Sequence, residues 1–183
     1  MLTANLCRQN GVLKSLSFLM EYIGEMAKDY VYAITPLLED ALIDRDQVHR
    51  QTAASVVKHM ALGVVGLGCE DACIHLMNLL WPNLFETSPH VIVSIFAPSG
   101  LCTIADQKQD RIVEAIDGCR NAVGTGITMN YVMAGLFHPA RRVRQPFWRV
   151  MNDMYVQSAD AMVPYFPKLD EEKLNRHELS IVL

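Results

Sequence analysis

Asp44-Arg45-Asp46-Gln47-Val48-His49-Arg50-Gln51-Thr52-Ala53-Ala54 joins a polar corner to the opening of a helix. Two carboxylates precede Val48, Arg50 and a run of small residues, which is how the inner element of a repeated helical hairpin begins. The same grammar returns at His138-Pro139-Ala140-Arg141-Arg142-Val143-Arg144 and, more loosely, at Glu86-Thr87-Ser88-Pro89-His90-Val91. One such unit cannot bury its apolar faces without its neighbours. The recurrence therefore predicts an all-α chain, an α-solenoid (armadillo-like superhelix) of stacked antiparallel helix pairs over residues 1–183. Such a stack is an interaction scaffold and not an enzyme.

The composition agrees. With 183 residues, 51% of them hydrophobic, the chain can bury one sizeable core and still keep apolar surface for neighbours. A net charge of −4 argues against a domain that coats nucleic acid. The charge is uneven: residues 1–92 hold six basic and ten acidic groups, residues 93–183 ten of each. Five cysteines, an odd number with no disulfide framework, suit a reducing compartment. No apolar run reaches membrane-spanning length and the N-terminus has no signal-peptide pattern, so the chain reads as intracellular and soluble.

Working outward from the corner, apolar positions at three- and four-residue steps predict helices over about 10–28, 30–43 and 47–64. Asn10 is placed as a cap, and Gly24 as a site of close approach between helices. Gly63, Gly66 and Gly68 end the third helix. A fourth starts at Asp71 and runs to Trp81, where Pro82 interrupts or bends it. Further helices follow from Ile112 to Val123, over 127–137 and after Pro139, with a last element from 159 to 166. Prolines in Thr35-Pro36-Leu37, Trp81-Pro82-Asn83 and Val163-Pro164-Tyr165 are read as recurrent bends. Residues 93–109 lack helical periodicity and read as a disordered insertion. Residues 168–183 read as a charged C-terminal tail ending in the apolar patch Leu179-Ile181-Val182-Leu183.

The candidate sites are few. Asp44, Asp46 and Arg50 form an inter-repeat corner, in which the guanidinium can bond a carboxylate or free helix-end carbonyls; the bland alternative is an exposed surface pair. Arg141, Arg142, Arg144 and Arg149 form the densest basic cluster, open to a partner protein, to an inter-repeat or solvated face, or to RNA. Trp81, Phe85, Phe147, Trp148 and Tyr155 are candidate packing or partner anchors, with core packing the favoured reading. Cys69, Cys73 and His75 do not make a metal site, because His75 points off the face shared by the two cysteines and no fourth ligand has useful spacing. No nucleophile-base arrangement and no phosphate-cradling loop is visible, so no catalytic residue, metal ligand or cofactor is assigned.

The segments Asn10-Gly11-Val12-Leu13-Lys14-Ser15-Leu16-Ser17-Phe18-Leu19, Thr35-Pro36-Leu37-Leu38-Glu39-Asp40-Ala41-Leu42, Phe85-Glu86-Thr87-Ser88-Pro89-His90-Val91 and Gly135-Leu136-Phe137-His138-Pro139-Ala140-Arg141 resemble the C-terminal HEAT repeats of the splicing factor 3b large-subunit family. The resemblance covers residues 10–92 and 110–183. It implies a nuclear, noncatalytic scaffold of the U2 small nuclear ribonucleoprotein (U2 snRNP). Such a scaffold would hold other splicing factor 3b subunits and U2 snRNP proteins, meet pre-mRNA and U2 snRNA mostly indirectly, and support branch-site recognition and prespliceosome assembly. The alternative is a generic HEAT-repeat scaffold in another intracellular complex. In the family the branch-point adenosine pocket lies mainly before the equivalent of Asn10, so no adenosine-contacting residue is carried over. Against the family pattern, His90-Val91-Ile92 joins Asp110-Arg111-Ile112-Val113 directly. Residues 93–109 are then either a retained intron in a gene model or a lineage-specific loop. Residues 1–9 depart from the pattern and the long upstream array is missing, as in a fragment.

Overall fold

In the computed structural model, residues 2–85 and 104–168 are described, with side chains for 9–85 and 110–168. The seven α-helices among them are α1 (Leu2–Ile23), α2 (Val31–Leu42), α3 (Gln47–Gly63), α4 (Glu70–Phe85), α5 (Ile104–Val123), α6 (Thr125–Gly135) and α7 (Arg141–Met162). Short 3-10 segments, Gly24–Asp29 and Val163–Tyr165, follow α1 and α7.

The helices form two rows. One row runs α1, α3, α5, α7, each packed on the next; the other runs α2, α4, α6, and the pairs α2/α3, α4/α5 and α6/α7 bridge the rows. This is serial stacking, the solenoid expected from the recurring corner. The core lies between the rows. Leu38, Leu42, Met60, Leu76, Leu80 and Ile116 are all fully buried along it, at the three- and four-residue steps that put one helical stripe inward.

Position in the stack dictates side-chain size. α3 has neighbours on both sides of its row, and its Ala53, Ala54 and Ala61 are fully buried. At two crossings a Cβ would meet facing backbone, overlapping it at Gly63 and pressing tightly on it at Gly118. A Cβ on Gly63 would lie 2.7 Å from the Gly24 carbonyl, and one on Gly118 would lie 3.1 Å from the Lys58 carbonyl. Gly24 is needed for a different reason, a φ of 55° where the α-helix tightens into the 3-10 segment.

Several boundaries differ from the periodicity reading. Asn10 lies inside α1 and caps nothing; its Oδ1 accepts from His49 Nδ1 of α3 at 2.6 Å. Pro36 and Pro82 both sit within helices that continue past them. The third interior proline is Pro146 of α7, because Pro164 falls in the 3-10 turn after that helix. The break expected near residue 159 exists: Ser158 has non-helical backbone (φ −150°, ψ 45°), and its hydroxyl is held by the Met154 carbonyl and Thr125. Backbone at 104–109, read as part of an insertion, is the first stretch of α5. Residues 86–103, which include the rest of that insertion and the Glu86–Val91 corner, lie outside the described residues, as does the tail from 169 onward.

Candidate interaction surface

The two corners share one construction. Arg50 Nη1 donates to the carbonyls of Asp44 (2.7 Å) and Arg45 (3.3 Å). Arg144 Nη1 donates to those of His138 (2.9 Å) and Pro139 (3.4 Å), the same two offsets. A side-chain acceptor also recurs at the corner's first position, where Asp44 Oδ1 takes the Asp46 N–H at 2.7 Å and His138 Nδ1 takes the Ala140 N–H at 3.2 Å. Charge-assisted bonds to otherwise free carbonyls rigidify the turn between paired helices. Asp46 is the N-cap of α3, its carboxylate accepting from Val48 N–H at 3.2 Å. These bonds close the corner inside a helix pair.

Other side chains join one pair to the next. In the α1 row, His59 Nδ1 donates to the Ser17 carbonyl (3.0 Å), Lys58 pairs with Glu114 (2.9 Å), and Arg149 pairs with Asp110. In the other row, Tyr32 donates to Asp71 (2.8 Å), His75 Nε2 lies 3.0 Å from Glu39, and Tyr131 donates to Asn78. The Asp71 hydrogen bond holds the Tyr32 phenol protonated, pushing its pKa up to about 12. Arg120 is a buried cation at 4% exposure, satisfied by Asp117 at 2.8 Å and by Gln157 of α7.

The basic cluster is divided by these contacts. Arg144 is spent on the corner and Arg149 on Asp110, while Arg141 and Arg142 are exposed and have no partner among the described residues. The aromatic set also separates. Trp81 is buried, stacked on Phe147 at 5.5 Å and on Tyr131 at 5.6 Å, and Phe85 leans on Phe147 at 5.1 Å. Phe147 fits only because residue 135 is glycine, where a Cβ would sit 2.4 Å from its ring. Trp148 donates Nε1 to the Leu136 carbonyl at 3.0 Å but keeps 43% of its surface exposed, and Tyr155 keeps 61%. Core packing thus accounts for Trp81 and Phe147, and leaves Trp148 and Tyr155 as surface.

The cysteines Cys69, Cys73 and Cys119 are buried and form no disulfide. Burial pushes the Cys73 thiol up to about 12 and the Cys119 thiol well above its usual value, so neither offers a thiolate at neutral pH. Among the described residues no group of three His, Cys, Asp or Glu side chains could hold a metal ion. No helix among them is long and apolar enough to cross a membrane.

Over 171 residues, 93% of this chain and 13% of the relative, the sequence is 58% identical to the U2 snRNP component prp10 of Schizosaccharomyces pombe. Over 176 residues, 96% of this chain and 16% of the relative, it is 55% identical to the U2 snRNP component HSH155 of Saccharomyces cerevisiae. The chain is homologous to one HEAT-repeat segment of these U2 snRNP components. The resemblance to the splicing factor 3b large-subunit family holds across nearly its whole length. No protein-family model matches the chain.

One surface of the stack escaped the sequence reading. A polar groove crosses α1, α3 and α5, lined by Lys14, Ser17, Thr52, Ser55, Lys58, His59, Asp110, Arg111 and Glu114. Its residues are scattered singly along the sequence and form no motif; only superposing the three helices of one row brings them together.

Proposed function

We propose that this chain is a noncatalytic scaffold segment of the nuclear U2 snRNP machinery, working within the splicing factor 3b subcomplex in branch-site recognition and prespliceosome assembly. The observation that carries the reading is an identity of 55–58% running through a serially stacked helical array. Both relatives are U2 snRNP components by name. The chain spans only 13% and 16% of their lengths, so it would contribute one stretch of a longer scaffold.

The mechanism is geometric. Corner arginines and inter-pair bonds hold the helices rigidly, and small rotations between pairs alter curvature. Partner proteins of the subcomplex would meet the exposed faces, with Arg141 and Arg142 as the cations open to them; RNA would be met mostly through those partners. Tagged chain purified from nuclear extract at physiological salt is expected to carry U2 proteins and U2 snRNA. Recovery free of both, or with a different stable complex, overturns the assignment in favour of a generic HEAT scaffold.

The segment 93–109 would be an addition to a regular array. The other connections between successive helices are residues 24–30, 43–46, 64–69, 124 and 136–140, whereas α4 and α5 are joined by 86–103. Sequencing the messenger RNA across codons 92–110 tests this, with skipping of 93–109 the expected outcome for a retained intron.

A further inference from the structure

The polar groove across α1, α3 and α5 encloses about 660 Å³, room for a few residues of peptide. Its two carboxylates are already matched, Glu114 by Lys58 at 2.9 Å and Asp110 by Arg149 of α7. Lys14 on the α1 wall and Arg111 on the α5 wall are exposed and have no partner among the described residues. Their helices are separated by α3, so the two axes are roughly 16–20 Å apart. The walls therefore carry cations whose counter-charge must come from elsewhere. The floor, α3, offers the opposite chemistry. Thr52 donates its hydroxyl to the Val48 carbonyl at 2.8 Å and Ser55 to the Gln51 carbonyl at 3.2 Å, so both can only accept from a ligand. In the neutral His59 ring, Nδ1 donates to the Ser17 carbonyl, which leaves Nε2 as an acceptor. Residues 52, 55 and 59 are three and four apart and line one face of α3 over roughly 10 Å.

We infer that this groove receives an extended segment of a partner protein that carries two carboxylates with a few uncharged residues between them. One carboxylate meets Lys14 and the other Arg111, and backbone N–H groups between them donate to the acceptors of the floor. A polynucleotide matches the groove less well. Its charge falls on every residue and would meet Asp110 and Glu114 on the α5 wall, and its phosphates bring no donors to the floor. A peptide concentrates charge at chosen side chains and offers an N–H at almost every residue. Occupied in this way, the groove ties α1 to α5 across α3, so the segment also restrains the rotation between helix pairs that sets curvature. The inference gives the proposed scaffold a contact site and rests on that reading for the partner's being part of the same assembly. The binding test below uses the chain by itself, so either reading can fail without the other.

The probe is the peptide GSEGSEGS, whose two glutamates are three residues apart, roughly 10 Å when extended. Titrated into the 15N-labelled full chain, it is expected to shift the amide signals of the groove residues on all three helices saturably. K14E/R111E should weaken that binding about tenfold or more. The reversed peptide GSKGSKGS should then bind K14E/R111E and not the unsubstituted chain. Both positions are exposed, so far-UV circular dichroism should show an unchanged helix signal. A six-nucleotide oligouridylate, although more highly charged, should bind more weakly than GSEGSEGS. The absence of a saturable shift with GSEGSEGS, or equal binding by K14E/R111E, overturns the proposal. Tighter binding of the oligouridylate also overturns it and assigns the groove to nucleic acid.

Discussion

The α2–α3 and α6–α7 corners make the same arginine-to-carbonyl bonds at the same offsets, yet they lead into opposite kinds of helix. After Arg50 come Ala53 and Ala54, fully buried, because α3 is pressed between α1 and α5. After Arg144 come Pro146, Phe147 and Trp148, in the last helix of its row among the described residues. Phe147 stands 94 positions after Ala53, the spacing that separates the two arginines. The corner chemistry is thus set by the turn, which both pairs need. Side-chain volume is set by how many helices press on that turn's successor.

Exchanging the two packing solutions should break this comparison most severely. Phe147→Ala would empty the space over Gly135 and beside Trp81 and cost about 3–5 kcal/mol. Ala53→Phe would overfill the α3 interface and cost about 1–3 kcal/mol or more. Chemical denaturation measures both, and a neutral Ala53→Phe would show that α3 is not confined as described. Next come the arginines. Arg50→Ala and Arg144→Ala should each lose about 1.5–3 kcal/mol. Lysine should restore only part of it at either position: one nitrogen, Nη1, makes both bonds, but an ammonium is more strongly hydrated and sits on a less pre-organised side chain. A large loss at one corner and none at the other would end the claim of equivalence.

The caps sharpen the contrast at smaller scale. Asp46 caps α3 through its side chain, whereas Ala140, at the same place before α7, has extended backbone (ψ 119°) and no side-chain bond. Asp46→Ala should cost about 1 kcal/mol, and Ala140→Asp should gain a similar or smaller amount. The smallest effect concerns Tyr32 between α2 and α4. Its folded pKa is raised, so the stabilisation from its bond to Asp71 is fully present below the unfolded value near 10 and fades as pH rises toward about 12. Tyrosinate absorbance should show one late-titrating phenol that is missing in Tyr32→Phe.

Much of the stack could be read before any coordinate. The helical period placed α2 and α3 within a residue or two, and the glycines at 66 and 68 marked a turn where φ is positive. For Arg50 the sequence leaves a carboxylate, free helix-end carbonyls or an exposed surface pair open, and the structure has its Nη1 on the carbonyls of Asp44 and Arg45. Other assignments needed partners that no local pattern names. Asn10 has the chemistry of a cap, but its acceptor is used by His49, 39 residues away. The four clustered arginines look alike in sequence. Yet Arg144 and Arg149 are engaged by neighbours and Arg141 and Arg142 are open.

The amino-acid sequence by itself determined that this protein is a series of repeated helical hairpins resembling one stretch of U2 snRNP components, because periodicity, corner residues and family likeness are all carried by local strings. Only the tertiary structure decided which side chains are consumed in holding the pairs together and which remain on the surface. A helical period states which face turns inward. What that face meets, and whether space is left there for a ring or only for a hydrogen atom, depends on backbones that approach from distant parts of the chain.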